Sequence, residues 1–447
     1  MQTYARAVVC GLGGSGEAAA ELLRGEGAAV TVVDRSDTPE LRARAGELER
    51  QGIRVLLGAG SGLPADPFDI CVVSPGVPDS SPWIVEARRK RVPVLSELEL
   101  GWTRARSRTV AITGSNGKSS AVKWFAESLQ AAGLKAAPAS NYGVAVSKIV
   151  REQPDLDWLV LEVSSFQLET VDRFRPDVGI LLNIHPNHLD RHKDMRTYLA
   201  MKARLFAKTV AADACIVHEP LLAEVRSVSG GQGRWISVGG SRTADYRYEA
   251  GRIFHGDRVR ADLGGTYFGN EVLGLAAAAV IAGVEACGLD PECAVRAARA
   301  FQPLPHRMEL VAEIGGVKFI NDSKATNLSA MSAALRMLPG KARLIAGGLV
   351  KENDFSFVKE VLAQRAAGVY LIGQASEEMA SAWSDIVPCF RCGTLDAAVA
   401  KARRDARPGE TVLLSPACAS FDQFRNFEER GQRFAGIVRD HAEEDTR

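Results

Sequence analysis

Charge of one sign is what this sequence lacks most plainly. Its 447 residues carry 55 Lys plus Arg against 54 Asp plus Glu, a formal net charge of +1. Such a balance argues against nucleic acid or an anionic membrane as the main partner, because both select a basic surplus. It leaves room for a local basic pocket around a small phosphorylated ligand. Long apolar runs are missing too. The longest notable uncharged stretch, between Glu271 and Glu285, falls short of the ~20 residues a bilayer-spanning helix needs. The opening residues enter a glycine loop at once, without the basic, apolar and cleavage regions of a leader in order. Cysteine is sparse and unpatterned. Cys10, Cys71, Cys215, Cys287, Cys293 and Cys418 lie scattered through apolar runs, where a buried thiol behaves as a small hydrophobe. Only Cys389 and Cys392 have CxxC spacing, and with no second pair the signal for zinc or redox chemistry is weak. A reducing, cytoplasmic setting is expected. Aromatic residues make up only 6%.

Glycine, by contrast, is plentiful at 42 residues, which points to many tight turns and close backbone approaches. At 46% hydrophobic and 24% charged the composition is that of a globular protein, and the length suggests roughly three domains at about 150 residues each. Short apolar runs alternate with amphipathic helical patterns, which predicts parallel α/β layers. In the first block the pattern predicts strands at 7–10, 29–33 and 70–74 and a helix at 16–24. In the second it predicts strands at 109–113, 159–163 and 178–183 and helices at 119–132 and 272–283, with a polar, glycine-rich stretch of β character after Arg234. The third block holds predicted strands at 318–321, 343–346, 368–372 and 411–415. Two prolines in Gln302-Pro303-Leu304-Pro305 mark the last boundary, and a linker is expected over 97–108.

The strongest single motif is Thr113-Gly114-Ser115-Asn116-Gly117-Lys118-Ser119-Ser120, between a predicted strand and a predicted helix. In that setting backbone N–H groups and a helix N-terminus wrap a phosphate, with Lys118 adding a point charge and Ser119 a hydroxyl for Mg²⁺. It is not a strict Walker A, since the first glycine of that pattern would fall at Ile112. Two polar clusters end neighbouring strands, Glu162-Val163-Ser164-Ser165-Phe166-Gln167 and Asn183-Ile184-His185-Pro186-Asn187-His188-Leu189-Asp190-Arg191-His192. A carboxylate and an imidazole at adjacent strand tips suit a metal that bridges phosphates. Near the start, Gly11-Leu12-Gly13-Gly14-Ser15-Gly16 with Asp34 ending the next strand satisfies the dinucleotide fingerprint, although no hydride-transfer site accompanies it.

The loop at 113–120, the cluster at 162–167, the tip His188-Leu189-Asp190 and the run Tyr198-Leu199-Ala200-Met201-Lys202 together resemble the central domain of the Mur ligases, ATP-dependent amide-bond ligases of peptidoglycan assembly. Asn321-Asp322-Ser323-Lys324-Ala325-Thr326-Asn327, Leu414-Ser415-Pro416-Ala417-Cys418-Ala419-Ser420-Phe421-Asp422 and Asn426-Phe427-Glu428 are similar to the D-glutamate-adding branch of that family. The resemblance runs through nearly the whole chain in the family's order. It implies three α/β domains: a Rossmann-like, UDP-substrate-binding domain over 1–97, a P-loop ATPase-like, ATP-binding domain over 98–302, and a Rossmann-like, amino-acid-binding domain over 303–447. The implied reaction adds D-glutamate to UDP-N-acetylmuramoyl-L-alanine through an acyl phosphate, with ATP as phosphoryl donor and Mg²⁺ at two sites. A monomer with small-molecule partners only, no nucleic acid and no membrane insertion is expected.

The same resemblance assigns residues. ATP would be held by Gly114, Ser115, Asn116, Gly117, Lys118, Ser119 and Ser120, and by Asn270, Arg307 and Asp322. Ser119 and Glu162 would hold one Mg²⁺, and His188 a second with help from Lys202. A bare ammonium is wrong for that task, since like charges at 4 Å repel by roughly 4 kcal/mol at an effective dielectric of about 20. The resemblance therefore implies a CO₂-derived carbamate on Lys202. The UDP substrate falls to Gly14, Ser15, Gly16, Asp34, Arg35, Ser74, Pro75 and Gly76, with Asn141 at its peptidyl end. D-Glutamate falls to Lys324, Thr326, Lys351, Ser420 and the backbone near Phe427.

Four departures from the family pattern stand out: Tyr142 in Ser140-Asn141-Tyr142-Gly143, Gly269 and Leu273 around Asn270, and Leu349 beside Val350 in Gly347-Gly348-Leu349-Val350-Lys351. Two alternatives remain at this point. One is another amide ligase of the superfamily, extending folate or adding a different amino acid. The other is a non-catalytic nucleotide-gated binding protein, against which the joint presence of Lys118, Glu162, His188 and Lys202 argues.

Overall fold

The computed structural model describes residues 2–60, 62–187, 189–350 and 354–444. They form two compact units, Met1–Gly269 with Leu273–Ala300, and Asn270–Val272 with Phe301–Arg447. The first unit holds two sheets and the second one, so the α/β architecture has three sheet-containing domains.

The first sheet comprises β1 (Arg6–Cys10), β2 (Ala29–Val33), β3 (Arg54–Leu56), β4 (Ile70–Val73) and β5 (Val94–Ser96) in the order β3-β2-β1-β4-β5. Every pairing is parallel. Such strands are covered on both faces and read as continuous apolar runs, and Val8, Val9, Cys10, Val72 and Cys71 are all buried. The alanine-rich helix Gly14–Gly25 follows β1 directly. Its Gly16 lies so close to the preceding loop that a Cβ would stand 1.9 Å from the Gly11 carbonyl oxygen. Only glycine permits that approach.

The second sheet comprises β6 (Arg108–Thr113), β7 (Ala136–Ser140), β8 (Trp158–Glu162), β9 (Val178–Leu181), β10 (Ala214–His218), β11 (Arg234–Gly239), β12 (Tyr246–Glu249), β13 (Arg252–His255) and β14 (Arg258–Asp262). Their order is β14-β13-β12-β11-β10-β9-β6-β8-β7. The stretch after Arg234 is thus β, ending in antiparallel pairs. Because β6 lies between β9 and β8, the segments leaving these three strands emerge together, where open α/β sheets gather ligands. The edge strand β7 has Ser140 in register with Glu162, which brings Asn141 to the same corner.

The linker expected over 97–108 is different in the structure. Helix Glu97–Trp102 occupies it, capped by the Ser96 hydroxyl, and Glu97 to Gly101 are buried. Its Leu98 and Leu100 enter two separate cores, so this segment is packed rather than loose.

In the second unit β15 (Glu309–Ile314), β16 (Val317–Asn321), β17 (Ala342–Gly347), β18 (Ala366–Ile372), β19 (Cys389–Gly393) and β20 (Thr411–Leu414) are ordered β15-β16-β20-β17-β18-β19, with β15 antiparallel. Asn321 is in register with Leu414, so Asp322 and Ser415 leave the sheet side by side. Cys389 and Cys392 both sit on edge strand β19, three residues apart. Side chains at that spacing face opposite sides of a strand, and the two thiols pack against different cores. The CxxC spacing therefore forms neither a redox pair nor a metal clip.

Candidate active site

A cavity of about 380 Å³ opens at the ends of β1 and β4. Gly14, Ser15, Asp34, Arg35, Ser74, Pro75 and Gly76, residues that the resemblance assigns to the UDP substrate, line it. Gly16 does not; it packs beneath the loop instead. Asp34 holds the glycine loop in place, accepting from the Leu12 N–H at 2.7 Å and the Ser36 N–H at 2.9 Å. Gly11, Gly13, Val77, Pro78, Ser81 and Trp83 complete the wall and were not foreseen. The Arg35 guanidinium stands 5.3 Å from the Trp83 ring, and Trp83 is anchored by its indole N–H to the Gly60 carbonyl at 2.8 Å. The Ser81 hydroxyl is buried with no hydrogen-bond partner among the described residues. A buried hydroxyl left unpaired beside an open cavity is what a polar ligand would satisfy.

The second cluster gathers at the strand tips of the central sheet. The loop after β6 turns at Gly117, whose φ of +81° favours glycine, into helix Lys118–Ala131. Ser119 Oγ donates to Glu162 Oε2 at 2.6 Å, and Asn141 Nδ2 donates to Glu162 Oε1 at 2.6 Å. Glu162 is 3% exposed, so its charge is held by polar neighbours rather than by water. The N–H groups of Ser115 and Asn116 both donate to Asn183 Oδ1, at 3.1 and 2.9 Å. Asn183 was not among the expected residues; only its place in the polar run after β9 signals it. Ser115 Oγ also donates to the His185 carbonyl at 3.1 Å.

Two lysines converge on one carbonyl. Lys118 Nζ donates to Gly114 O at 2.8 Å and Lys202 Nζ to the same oxygen at 3.0 Å, with Thr113 Oγ1 at 3.2 Å from Lys202. Lys202 is 1% exposed, on helix Met195–Ala203. Burial, and then the neighbouring Lys118 charge, hold its ammonium well below the ordinary lysine range, with Glu162 opposing. His188 lies outside the described residues. Among the described residues no group of three His, Cys, Asp or Glu side chains stands ready for a metal. One carboxylate and one hydroxyl nevertheless fit Mg²⁺, which is usually held by one or two protein oxygens plus phosphates and water.

In the second unit Asp322 is buried, accepting from the Ser415 hydroxyl at 2.8 Å and the Met308 N–H at 3.3 Å. Burial pushes its carboxyl up to about 7. Lys324 Nζ lies 3.8 Å from the Phe427 ring centroid, a cation–π contact. The Ser323 hydroxyl donates to the Phe427 carbonyl at 2.8 Å, and Ser420 is buried. Thr326 follows in the same turn, one residue before the Asn327 N-cap of helix Leu328–Met337. Arg307 lies in the turn before β15, with Asp322 feeling its charge. Asn270 Oδ1 accepts from the Val272 N–H at 3.1 Å. Arg430, unforeseen, is 1% exposed and donates to Ser323 Oγ and to the Cys418 and Ala419 carbonyls. It joins the two loops that carry Lys324 and Ser420. Lys351 lies outside the described residues.

Two of the departures have local reasons. A Cβ at Gly269 would stand 2.2 Å from the Leu263 carbonyl oxygen, so no side chain fits there. Leu349 engages through its backbone, exchanging hydrogen bonds with Ala419 at 2.9 and 3.1 Å. Leu273 precedes helix Gly274–Ala286, and its side chain makes no capping hydrogen bond. Tyr142 is half-buried.

Three family descriptions match successive parts of the chain: "Mur ligase MurD-like, N-terminal domain" over 5–96, "Mur ligase middle domain" over 112–262, and "Mur ligase, glutamate ligase domain" over 306–418. A UDP-N-acetylmuramoylalanine–D-glutamate ligase of Acidobacterium capsulatum is 40% identical over 449 residues, covering 98% of this chain and 96% of the relative. One of Solibacter usitatus is 37% identical, with 97% of each covered. Among solved structures, the MurF ligase of Thermotoga maritima in complex with ADP aligns with a TM-score of 0.64 at 16% identity, over 93% of this chain and 95% of that one. The UDP-N-acetylmuramate-alanine ligase MurC of Thermotoga maritima aligns with a TM-score of 0.61 at 16% identity, over 98% and 100%. These structures share the fold; the curated relatives share most of the length at far higher identity. The chain belongs to the Mur ligase family and groups within it with the D-glutamate-adding ligases.

Proposed function

We infer that this protein is an ATP-dependent ligase that joins D-glutamate to UDP-N-acetylmuramoyl-L-alanine in peptidoglycan precursor synthesis. The similarity to D-glutamate ligases over nearly the full length carries that reading. A carboxylate is a poor electrophile because its oxygen leaves badly. Transfer of the γ-phosphoryl from ATP makes an acyl phosphate, the D-glutamate amine attacks the carbonyl carbon, and inorganic phosphate departs. Phosphoryl transfer depends mainly on positioning and on neutralising charge, and effective-molarity arguments put positioning at roughly 7–11 kcal/mol.

The proposed roles follow from chemistry. The cavity at Gly14, Ser15, Asp34, Arg35 and Ser74 to Gly76 takes the uridine diphosphate, with Gly16 acting beneath its floor. Asn141, bonded to Glu162, meets the peptidyl end. The loop Gly114–Ser120 takes the ATP phosphates, with Lys118 as its cation. Asn270, Arg307 and Asp322 receive the nucleotide. Ser119 and Glu162, and His188 with Lys202, are the residues that would hold two Mg²⁺ ions. When bound, magnesium shields the triphosphate's negative charge from the incoming carboxylate. The free amine is the form that adds CO₂, and the burial that disfavours the Lys202 ammonium supports a carbamate there. Lys324, Thr326, Lys351, Ser420 and the Phe427 backbone bind the D-glutamate carboxylates. Domain boundaries at 97/98 and 302/303, a monomeric state and a cytoplasmic location belong to the same proposal. Among the described residues no helix is long and apolar enough to cross a membrane.

The test is phosphate release by purified protein with ATP, Mg²⁺ and UDP-N-acetylmuramoyl-L-alanine, comparing D-glutamate with L-glutamate. Turnover with D-glutamate alone is expected. Equal turnover with the L-isomer overturns the amino-acid assignment, and no turnover with any amino acid overturns the ligase reading.

A further inference from the structure

Arg191 belongs to none of the groups assigned above, yet every edge of its guanidinium is used. It sits in the short helix Leu189–His192, just beyond the tip of β9. Its Nε and Nη2 donate to the two carboxylate oxygens of Glu169, at 2.9 and 2.5 Å. Nη1 also donates to the Pro75 carbonyl at 3.3 Å and Nη2 to the Val77 carbonyl at 3.4 Å. Its flat face lies 4.1 Å from the Phe166 ring centroid. The pair is largely enclosed, with side chains 18% and 9% exposed. Glu169 caps the turn Ser165–Leu168 that begins three residues after Glu162. Pro75 and Val77 line the first-domain cavity. One rigid cation therefore ties the Glu162 tip, the β9 tip and the cavity wall together, all within the first unit.

We propose that Arg191 is a positioning residue that sets the nucleotide end of the substrate in register with the phosphoryl-transfer centre. This rests on the ligase reading above. The substrate is anchored by its uridine diphosphate at one place and reacts at its carboxyl at another. The separation of those two places must match the molecule between them, and a misplacement of about 1 Å costs on the order of 10²-fold in rate. A planar fork that engages a carboxylate and two carbonyls at once enforces that separation. A lysine, a single point charge, does not span the same set.

The test compares wild type with Arg191→Lys and Glu169→Gln, measuring kcat, the Kd of UDP-N-acetylmuramoyl-L-alanine and of ADP by calorimetry, and the melting temperature. The expected result is a kcat lower by about 10- to 100-fold, with both Kd values and the melting temperature little changed. Unchanged kcat in both variants overturns the proposal. So does weaker substrate binding at full kcat, which marks a plain binding contact, or a joint fall in melting temperature and ADP affinity, which marks general damage. Wild type without turnover defeats the ligase reading and this inference with it; wild type with turnover and unaffected variants defeats this inference alone.

Discussion

Lys202 shows how far a residue's meaning depends on its surroundings. By spacing alone it is a lysine on a helix face. In the fold it is enclosed beside Lys118, and two ammonium groups converge on the Gly114 carbonyl. Burial disfavours the ammonium here, and in the proposed mechanism CO₂ adds to the free amine, giving an anion that would share Mg²⁺ with Glu162 rather than repel it. Lys202→Ala should lower turnover by about 10²–10³-fold, and short carboxylates such as formate should restore part of it. A fully active Lys202→Ala protein removes the carbamate from the mechanism. Glu97 is a second case. Its Oε1 accepts from the Ser147 N–H at 2.6 Å, while Oε2 is buried without a partner among the described residues. Burial raises its carboxyl from 4.5 to about 7. The unfolded chain therefore releases this proton first. The stability that Glu97 contributes is complete below pH 4.5 and is lost as pH rises through 7, by about 3 kcal/mol at most. Glu97→Gln should melt higher than wild type at pH 8 and alike near pH 4.5. A melting-temperature difference that is the same at both pH values refutes the assignment.

At the scale of elements, the strand-loop-helix units carried most of the legible information. Apolar runs such as Val8 to Cys10 and Val110 to Ile112 read as buried parallel strands because both faces are covered, and they are. Expected and observed limits differ by a residue or two at β1, β6, β8 and β16. Strands β3, β5, β7, β10, β15 and β19 are not among the predicted strands. Ala136–Ser140 contains a proline and three alanines, so it lacks β-branched residues, and Glu309–Ile314 is an edge strand with no fully buried residue and charges at 309 and 313. Helix Glu97–Trp102 is six residues long, too few to show a helical period in the sequence. The glycine loop offers the sharpest test at this scale. Gly16→Ala places a methyl 1.9 Å from Gly11 O and 2.8 Å from Ser74 Oγ. The helix must then shift away from the cavity floor, and overpacking of this kind costs roughly 1–3 kcal/mol. Calorimetry should show the affinity for the UDP substrate reduced while ADP affinity holds. Unchanged affinity for the UDP substrate means that this close approach plays no part in shaping the cavity.

Over the whole molecule, three sheets divide between two compact units, and the sequence itself determined the class of each layer, the glycine turns and the chemical make-up of the loop at 113–120. These are local properties: alternation of apolar runs, the φ that only glycine tolerates easily, and a lysine and a serine opening a helix. The CxxC spacing was equally local and meant nothing, because a strand turns residues three apart to opposite faces. What only tertiary structure decided is which distant residues meet. Trp83 and Ser81 join a cavity wall begun at Gly11; Asn183 receives the Ser115 and Asn116 N–H groups; Arg191 reaches Glu169, Pro75 and Val77. Those meetings are set by strand order, with β6 between β8 and β9 and β1 beside β4. Strand order follows from how separate apolar faces share their cores, a balance struck over the folded chain and written in no single stretch of it.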